Sequence, residues 1–118
     1  YFIMAHTQLM KQSSIWLQKI YLLGFSMLKI LEDLVTLARE RKKKPAEGSY
    51  TNKLLEDKTL AKEKVLEEID ELIESVEKNT NKIHEAADVF YHLVMYLERN
   101  NIKIEEVMEE LNSRKKNK

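Results

Sequence analysis

Five acids in two short stretches have the types and the spacing that chemistry can use. In "EKVLEEIDELIESV" (63–76) they are Glu67, Glu68 and Glu71; in "HEAADVFYHLVMYL" (84–97) they are Glu85 and Asp88. Residues three or four apart on a helix share a face, so Glu68 points with Glu71, and Glu85 with Asp88. Glu67 flanks Glu71 from the other side. Glu71 lies eight residues before Asn79, and Asp88 lies seven after Asn81. If "NTN" (79–81) joins two antiparallel helices, a rise of ~1.5 Å per residue sets both pairs at a similar height. Four carboxylates in one place repel and raise each other's pKa, and a divalent cation removes that conflict. All-oxygen ligands suit a hard ion such as Mg²⁺, or Mn²⁺, and Mg²⁺ leaves positions that phosphate oxygens can take. The pattern points to metal-assisted chemistry on a phosphorylated substrate. The competing reading is a solvated helix face laced by Glu–Lys pairs such as Lys64 with Glu68. Ala86, Ala87 and Phe90 give Glu85 and Asp88 apolar company, and only His84 and His92 are basic between Ile83 and Glu98. Acids buried there need a partner.

Several helices must position these acids. Residues 27–43 place Leu28, Leu31, Leu34, Val35 and Ala38 at helical spacing, and their basic end "RERKKK" (39–44) suits a helix C-terminus. That end is either solvated or attracts a polyanionic substrate. Pro45 and Gly48 break the chain in "KPAEGSYTNK" (44–53), and a short turn at Lys53–Asp57 follows. Thr59 reads as the N-cap of a helix over 60–78, with Leu66, Ile69, Leu72, Ile73 and Val76 as its apolar face. Thr80 or Asn81 caps the next helix, which runs to about Arg99 with Ile83, Ala86, Ala87, Phe90, Leu93, Val94 and Leu97 inward. Asn100-Asn101 signals its end, and a last helix over 103–113 presents Val107, Met108 and Leu111. No strand pattern appears. Short connections imply antiparallel neighbours, hence an all-α antiparallel bundle, with its core completed by self-association.

Composition bounds the rest. The 118 residues suit one domain, 27–118, preceded by an N-terminal helical extension, 1–26. The uncharged run Ile20–Leu28 is too short to span a bilayer. Residues 15–31 read as an amphipathic helix packing on the domain or a partner; residues 1–26 as non-native sequence before a start at Met27 is the alternative. Twenty basic and twenty acidic residues cancel, which gives no global case for nucleic acid or an anionic membrane. The absence of Cys excludes disulfides, thiolate zinc and a Cys nucleophile, and fits a reducing, cytoplasmic setting.

"EExxE" followed by "ExxD" resembles the signature of the all-α nucleotide pyrophosphohydrolases, the MazG-like superfamily. The flanking text narrows this. "RKKKPAEGSYTNKLL" (41–55), "KVLEEIDE" (64–71), "EAADVFYHLVMYL" (85–97) and "IEEVMEEL" (104–111) look like the phosphoribosyl-ATP pyrophosphohydrolases of histidine biosynthesis. "EGSYT" and "ADxxYH" are the specific parts, and the resemblance covers residues 28–115 in order. It implies hydrolysis of phosphoribosyl-ATP to phosphoribosyl-AMP and pyrophosphate with Mg²⁺, by a homodimer. It also implies metal ligation by Glu68, Glu71, Glu85 and Asp88, with Glu67 as a further ligand or water-positioning base. Ser49, Tyr50, Thr51, Lys53 and Lys64 would touch substrate. The sequence departs from the family pattern at Leu66, Ile69 and Asp70, where small residues are usual, and at Lys103, where a Ser cap is expected. His92 reads as a core histidine hydrogen-bonded across the bundle. Two rival functions stand beside this one: a house-cleaning nucleoside triphosphate pyrophosphohydrolase of the same superfamily, and a non-catalytic helical interaction module.

Overall fold

The computed structural model describes residues 27–115, and among them are five helices and no strand. The expectations for residues 1–26 fall outside the described residues. The chain divides into two compact units, Tyr1–Asp33 and Leu34–Lys118, and every acid singled out above lies in the second.

Helix α1 is Met27–Lys43, α2 Tyr50–Glu56, α3 Lys58–Lys78, α4 Lys82–Arg99 and α5 Ile104–Arg114. The predicted turn at Lys53–Asp57 is the second half of α2. Asp57, not Thr59, starts α3: its carboxylate accepts from Leu60 N at 3.0 Å, while its own N–H closes α2 on Lys53 O. One residue thus ends one helix and caps the next. Asn79 closes α3 in the left-handed region (φ 56°), and Asn81 enters α4 at φ 47° without a side-chain cap bond. Asparagine tolerates that conformation, which allows the reversal in three residues. Lys103 stands at the N-cap of α5 and caps nothing.

The loop before α2 is held by Asn52. Its Oδ1 accepts from Ala46 N (2.9 Å) and its Nδ2 donates to Arg41 O (3.0 Å), so a buried amide ties both loop ends. Gly48 supplies φ 77°, where a side chain would be strained.

The main pairing is the α3–α4 hairpin, with α2 packed on both helices. The core gathers Ala38, Leu54, Leu55 and Met95, with Leu34, Leu60 and Tyr91 against it. The predicted inward stripes of the hairpin need correction. Leu66, Ile69, Ile73 and Val76 are exposed on α3, and Ile83 (88%), Ala87, Phe90 (62%) and Leu93 are exposed on α4; of the expected set only Val94 is fully buried. What α3 turns inward is Ala61, Glu68 and Ser75, a seven-residue spacing of small or polar groups. Among the described residues, the flank of the hairpin that carries the acids is covered and the apolar flank is exposed.

The far end of the hairpin is held by charge. Arg39 donates to buried Glu98 (Nη2–Oε2 3.2 Å) and to Glu105 (Nη2–Oε1 2.6 Å), while Lys42 Nζ donates to Glu98 O at 2.8 Å. The guanidinium holds the Glu105 carboxyl down at about 2. The "RERKKK" end is therefore neither merely solvated nor free: Arg39 and Lys42 fasten α1 to α4 and α5. Glu98 is 5% exposed, and without Arg39 its carboxylate keeps only Lys42, at 3.8 Å. Arg39→Ala should cost about 2–3 kcal/mol in urea unfolding, below the usual range for a broken buried pair because Arg39 is partly solvated. An unchanged urea midpoint would contradict the clamp.

Candidate active site

The two acid groups meet across the hairpin. On α3, Glu67, Glu68 and Glu71 each offer an oxygen within 4.8 Å of the others; on α4, a ring nitrogen of His84 and an oxygen each of Glu85 and Asp88 lie equally close together. Glu71 and Asp88 join the groups, since each bears electrostatically on both Glu68 and Glu85. Glu68, Glu71, Glu85 and Asp88 thus form one cluster of four carboxylates on two helices. The short Asn-rich reversal makes this possible by holding α3 and α4 side by side in register.

The cluster is electrostatically frustrated. Burial, then the Glu71 charge, pushes the Glu68 carboxyl above its ordinary value, and the same causes in the same order raise Glu85. Glu68 Oε2 and Glu85 Oε2 are buried with no hydrogen-bond partner. A buried acceptor left unmatched costs free energy, more so when charged. Two orphaned carboxylate oxygens among four acids are what a hard divalent cation would satisfy, so the residues fit such an ion. An open groove of ≈ 370 Å³ runs beside them, lined by Glu71, Ser75, Lys78, Asn81 and Glu85 among others.

The cations and hydroxyls fall as follows. Lys64 Nζ pairs with Glu67 Oε2 at 3.1 Å, rather than with Glu68 as the spacing suggested. His84 Nε2 lies 3.3 Å from Asp88 Oδ2. Tyr50 is brought to the cluster: Lys64, Glu67 and Glu68 all act on its phenol, whose pKa burial raises. Its hydroxyl meets His92 Nε2 at 2.9 Å. Thr51 is buried, with Oγ1 2.5 Å from Tyr91 Oη. Ser49 caps α2, accepting from Asn52 N (3.3 Å) and Arg41 Nη1 (2.7 Å). Lys53 is exposed on α2 and lines a groove with Glu56, Asp57 and Lys58. Sequence reasoning missed Asn52 and Tyr91. Asn52 gave no signal beyond its place in the loop. Tyr91 lies inside the quoted "ADxxYH" pattern, which by itself gives it no role.

The family described as phosphoribosyl-ATP pyrophosphohydrolase matches residues 31–115. The chain belongs to the phosphoribosyl-ATP pyrophosphohydrolase family. Relatives of this family include the phosphoribosyl-ATP pyrophosphatase of Clostridium acetobutylicum, 44% identical over 91 residues, covering 72% of this chain and 80% of that one. That of Clostridium novyi is 42% identical over 93 residues, covering 74% and 82%. The histidine biosynthesis bifunctional protein HisIE of Pyrococcus furiosus is 41% identical over 92 residues, covering 75% of this chain but 43% of its own length. No solved structure gives a significant match to this pyrophosphohydrolase chain. Among the described residues, no helix is long and apolar enough to cross a membrane.

Proposed function

We propose that this chain hydrolyses phosphoribosyl-ATP to phosphoribosyl-AMP and pyrophosphate, the second step of histidine biosynthesis, as a Mg²⁺-dependent cytoplasmic homodimer. The observation that carries the reading is the four-carboxylate cluster with two orphaned buried oxygens, in a chain whose family acts on this substrate. Glu68, Glu71, Glu85 and Asp88 would hold the ion, with Mn²⁺ as a substitute. When bound, it supplies charge neutralisation at the phosphate oxygens and a lowered pKa for a coordinated water. Glu67, beside the cluster and paired with Lys64, would orient the attacking water or accept its proton. Lys64 contributes positive charge toward the phosphates, and the Ser49–Tyr50–Thr51 segment lies along the substrate, with Lys53 as an outer cation. The homodimer is supported by the apolar stripes exposed on α3 and α4 among the described residues.

The carboxylate shifts give the reading a stability signature. A carboxyl raised in the folded state binds protons there more tightly than in the unfolded chain. Its contribution is full below the ordinary glutamate value and is lost as pH rises through the raised one. Metal-free protein should therefore melt higher near about pH 5 than near about pH 8, as far as Glu68 and Glu85 decide it, while Glu105, held at about 2, stays ionised throughout. Mg²⁺ should raise the melting temperature, and more at the higher pH. A Mg²⁺ effect that is absent or reversed in pH would count against the cluster as its site. Substrate choice is tested by pyrophosphate release from phosphoribosyl-ATP beside dUTP and dCTP. Turnover of phosphoribosyl-ATP alone supports the proposal; preference for dUTP or dCTP replaces it with a house-cleaning hydrolase.

A further inference from the structure

Two neighbouring residues of α4 each hold one of two neighbouring residues at the start of α2. Tyr91 holds Thr51 by its hydroxyl, and His92 holds Tyr50 by Nε2. His92 is 7% exposed, and its Nδ1 lies 2.7 Å from the backbone oxygen of Asp88. A carbonyl oxygen only accepts, so Nδ1 carries the proton, and in the neutral ring Nε2 is then an acceptor. The Tyr50 hydroxyl must donate to it. That commits its proton and leaves the phenol oxygen with lone pairs alone. Phosphate oxygens are acceptors too, so Tyr50 in this state has no hydrogen to give them. What suits it is an O–H or N–H donor, which a nucleotide carries on its sugar and base. The ring is also held: stacked on Tyr91 (6.3 Å, 16°) and edge-on to His92 (5.8 Å, 74°), with 42% of the residue still exposed.

We propose that His92 is a positioning residue. It holds Tyr50 beside the acids and accepts the hydrogen bond of its hydroxyl, so that Tyr50 accepts a hydrogen bond from the sugar–base part of the nucleotide. This rests on the hydrolase reading above and divides the labour within it: phosphates to the cationic side, nucleoside to Tyr50. His92 also binds the backbone of Asp88, so one imidazole links a candidate ligand residue to the substrate segment.

The test is steady-state kinetics on wild type, Tyr50→Phe, His92→Asn and His92→Gln, with ¹⁵N NMR of the imidazole. A glutamine oxygen reaches where Nε2 stood and can accept from Tyr50; asparagine reaches only the place of Nδ1. Tyr50→Phe and His92→Asn should each raise KM about tenfold and change kcat far less, as for one lost ground-state hydrogen bond. His92→Gln should recover most of that loss, and Tyr50→Phe with His92→Asn together should be no worse than either alone. The NMR should find His92 protonated on Nδ1, with the Nε2 resonance moving in Tyr50→Phe. An analogue lacking the 2′-hydroxyl on the adenosine sugar locates the donor: loss of the Tyr50→Phe effect assigns it there, retention assigns it elsewhere on the nucleoside. A wild-type KM in Tyr50→Phe, equal impairment by Gln and Asn, or an Nε2–H ring would overturn the proposal. If His92→Asn fails to fold, Tyr50→Phe, which removes one oxygen from an exposed residue, still decides. If wild type does not turn over phosphoribosyl-ATP, the hydrolase reading falls, while the NMR judges the His92–Tyr50 arrangement separately.

Discussion

Glu68→Gln and Asp88→Asn should each lower turnover of phosphoribosyl-ATP by about a thousandfold, as expected when several kcal/mol of charge stabilisation are lost. Both should leave the helical circular dichroism intact. The reason is local. Glu68 sits buried with one oxygen unmatched and its carboxyl pushed up by burial and by Glu71. An amide of the same shape removes a repelling charge from the metal-free cluster, so Glu68→Gln should melt no lower than wild type without metal. With Mg²⁺ present the order should reverse, because the ion would have one carboxylate fewer. Asp88 sits at the other side of the cluster, 3.3 Å from His84, and its loss should weaken the ion in the same way. Loss of fold in both variants, or full activity in either, would count against these roles.

Phe90→Glu should turn a dimer into a monomer, seen by light scattering, and take most of the activity with it. Phe90 is 62% exposed on α4, in one stripe with Ile83 and Leu93, while α3 carries Leu66, Ile73 and Val76 bare. Soluble monomers rarely leave apolar patches of this kind open. The buried core of the described chain is small, with Leu54 and Met95 its largest fully buried side chains. A charge in the stripe would be desolvated on association without a partner, which costs several kcal/mol. The same substitution should leave the monomer folded, since Phe90 contributes little to the core. A dimeric Phe90→Glu, or a wild type that is monomeric at all concentrations tested, would contradict the assignment of this face.

The outcome of the sequence reading follows from the same division of surfaces. Helix positions were legible because periodicity and Asn-rich breaks act locally: α4 ends at Arg99 as expected, and Asn79 and Asn81 take the left-handed conformations that a tight reversal demands. The direction of each face was not. An apolar stripe says that a helix must be covered, not by what, so Leu66 and Ile73 were expected in the core, and both are exposed. The acids were legible for the opposite reason. Their spacing is a property of the helix, and register follows from a three-residue turn. Long-range pairings stayed hidden, since nothing in the spacing of Arg39, Glu98 and Glu105 reveals that α1 returns to the end of α4. The partner of Lys64 was misjudged by one residue, because i,i+3 and i,i+4 pairs compete on one helix face.

The central claim is that the carboxylate cluster works through a divalent cation on a nucleotide. Its most direct test is pyrophosphate release from phosphoribosyl-ATP by the purified chain, stripped with EDTA and then titrated with Mg²⁺. The account predicts no release in EDTA and saturable recovery with Mg²⁺. Release that is unaffected by EDTA, or none at any Mg²⁺ concentration from a folded protein, would contradict it.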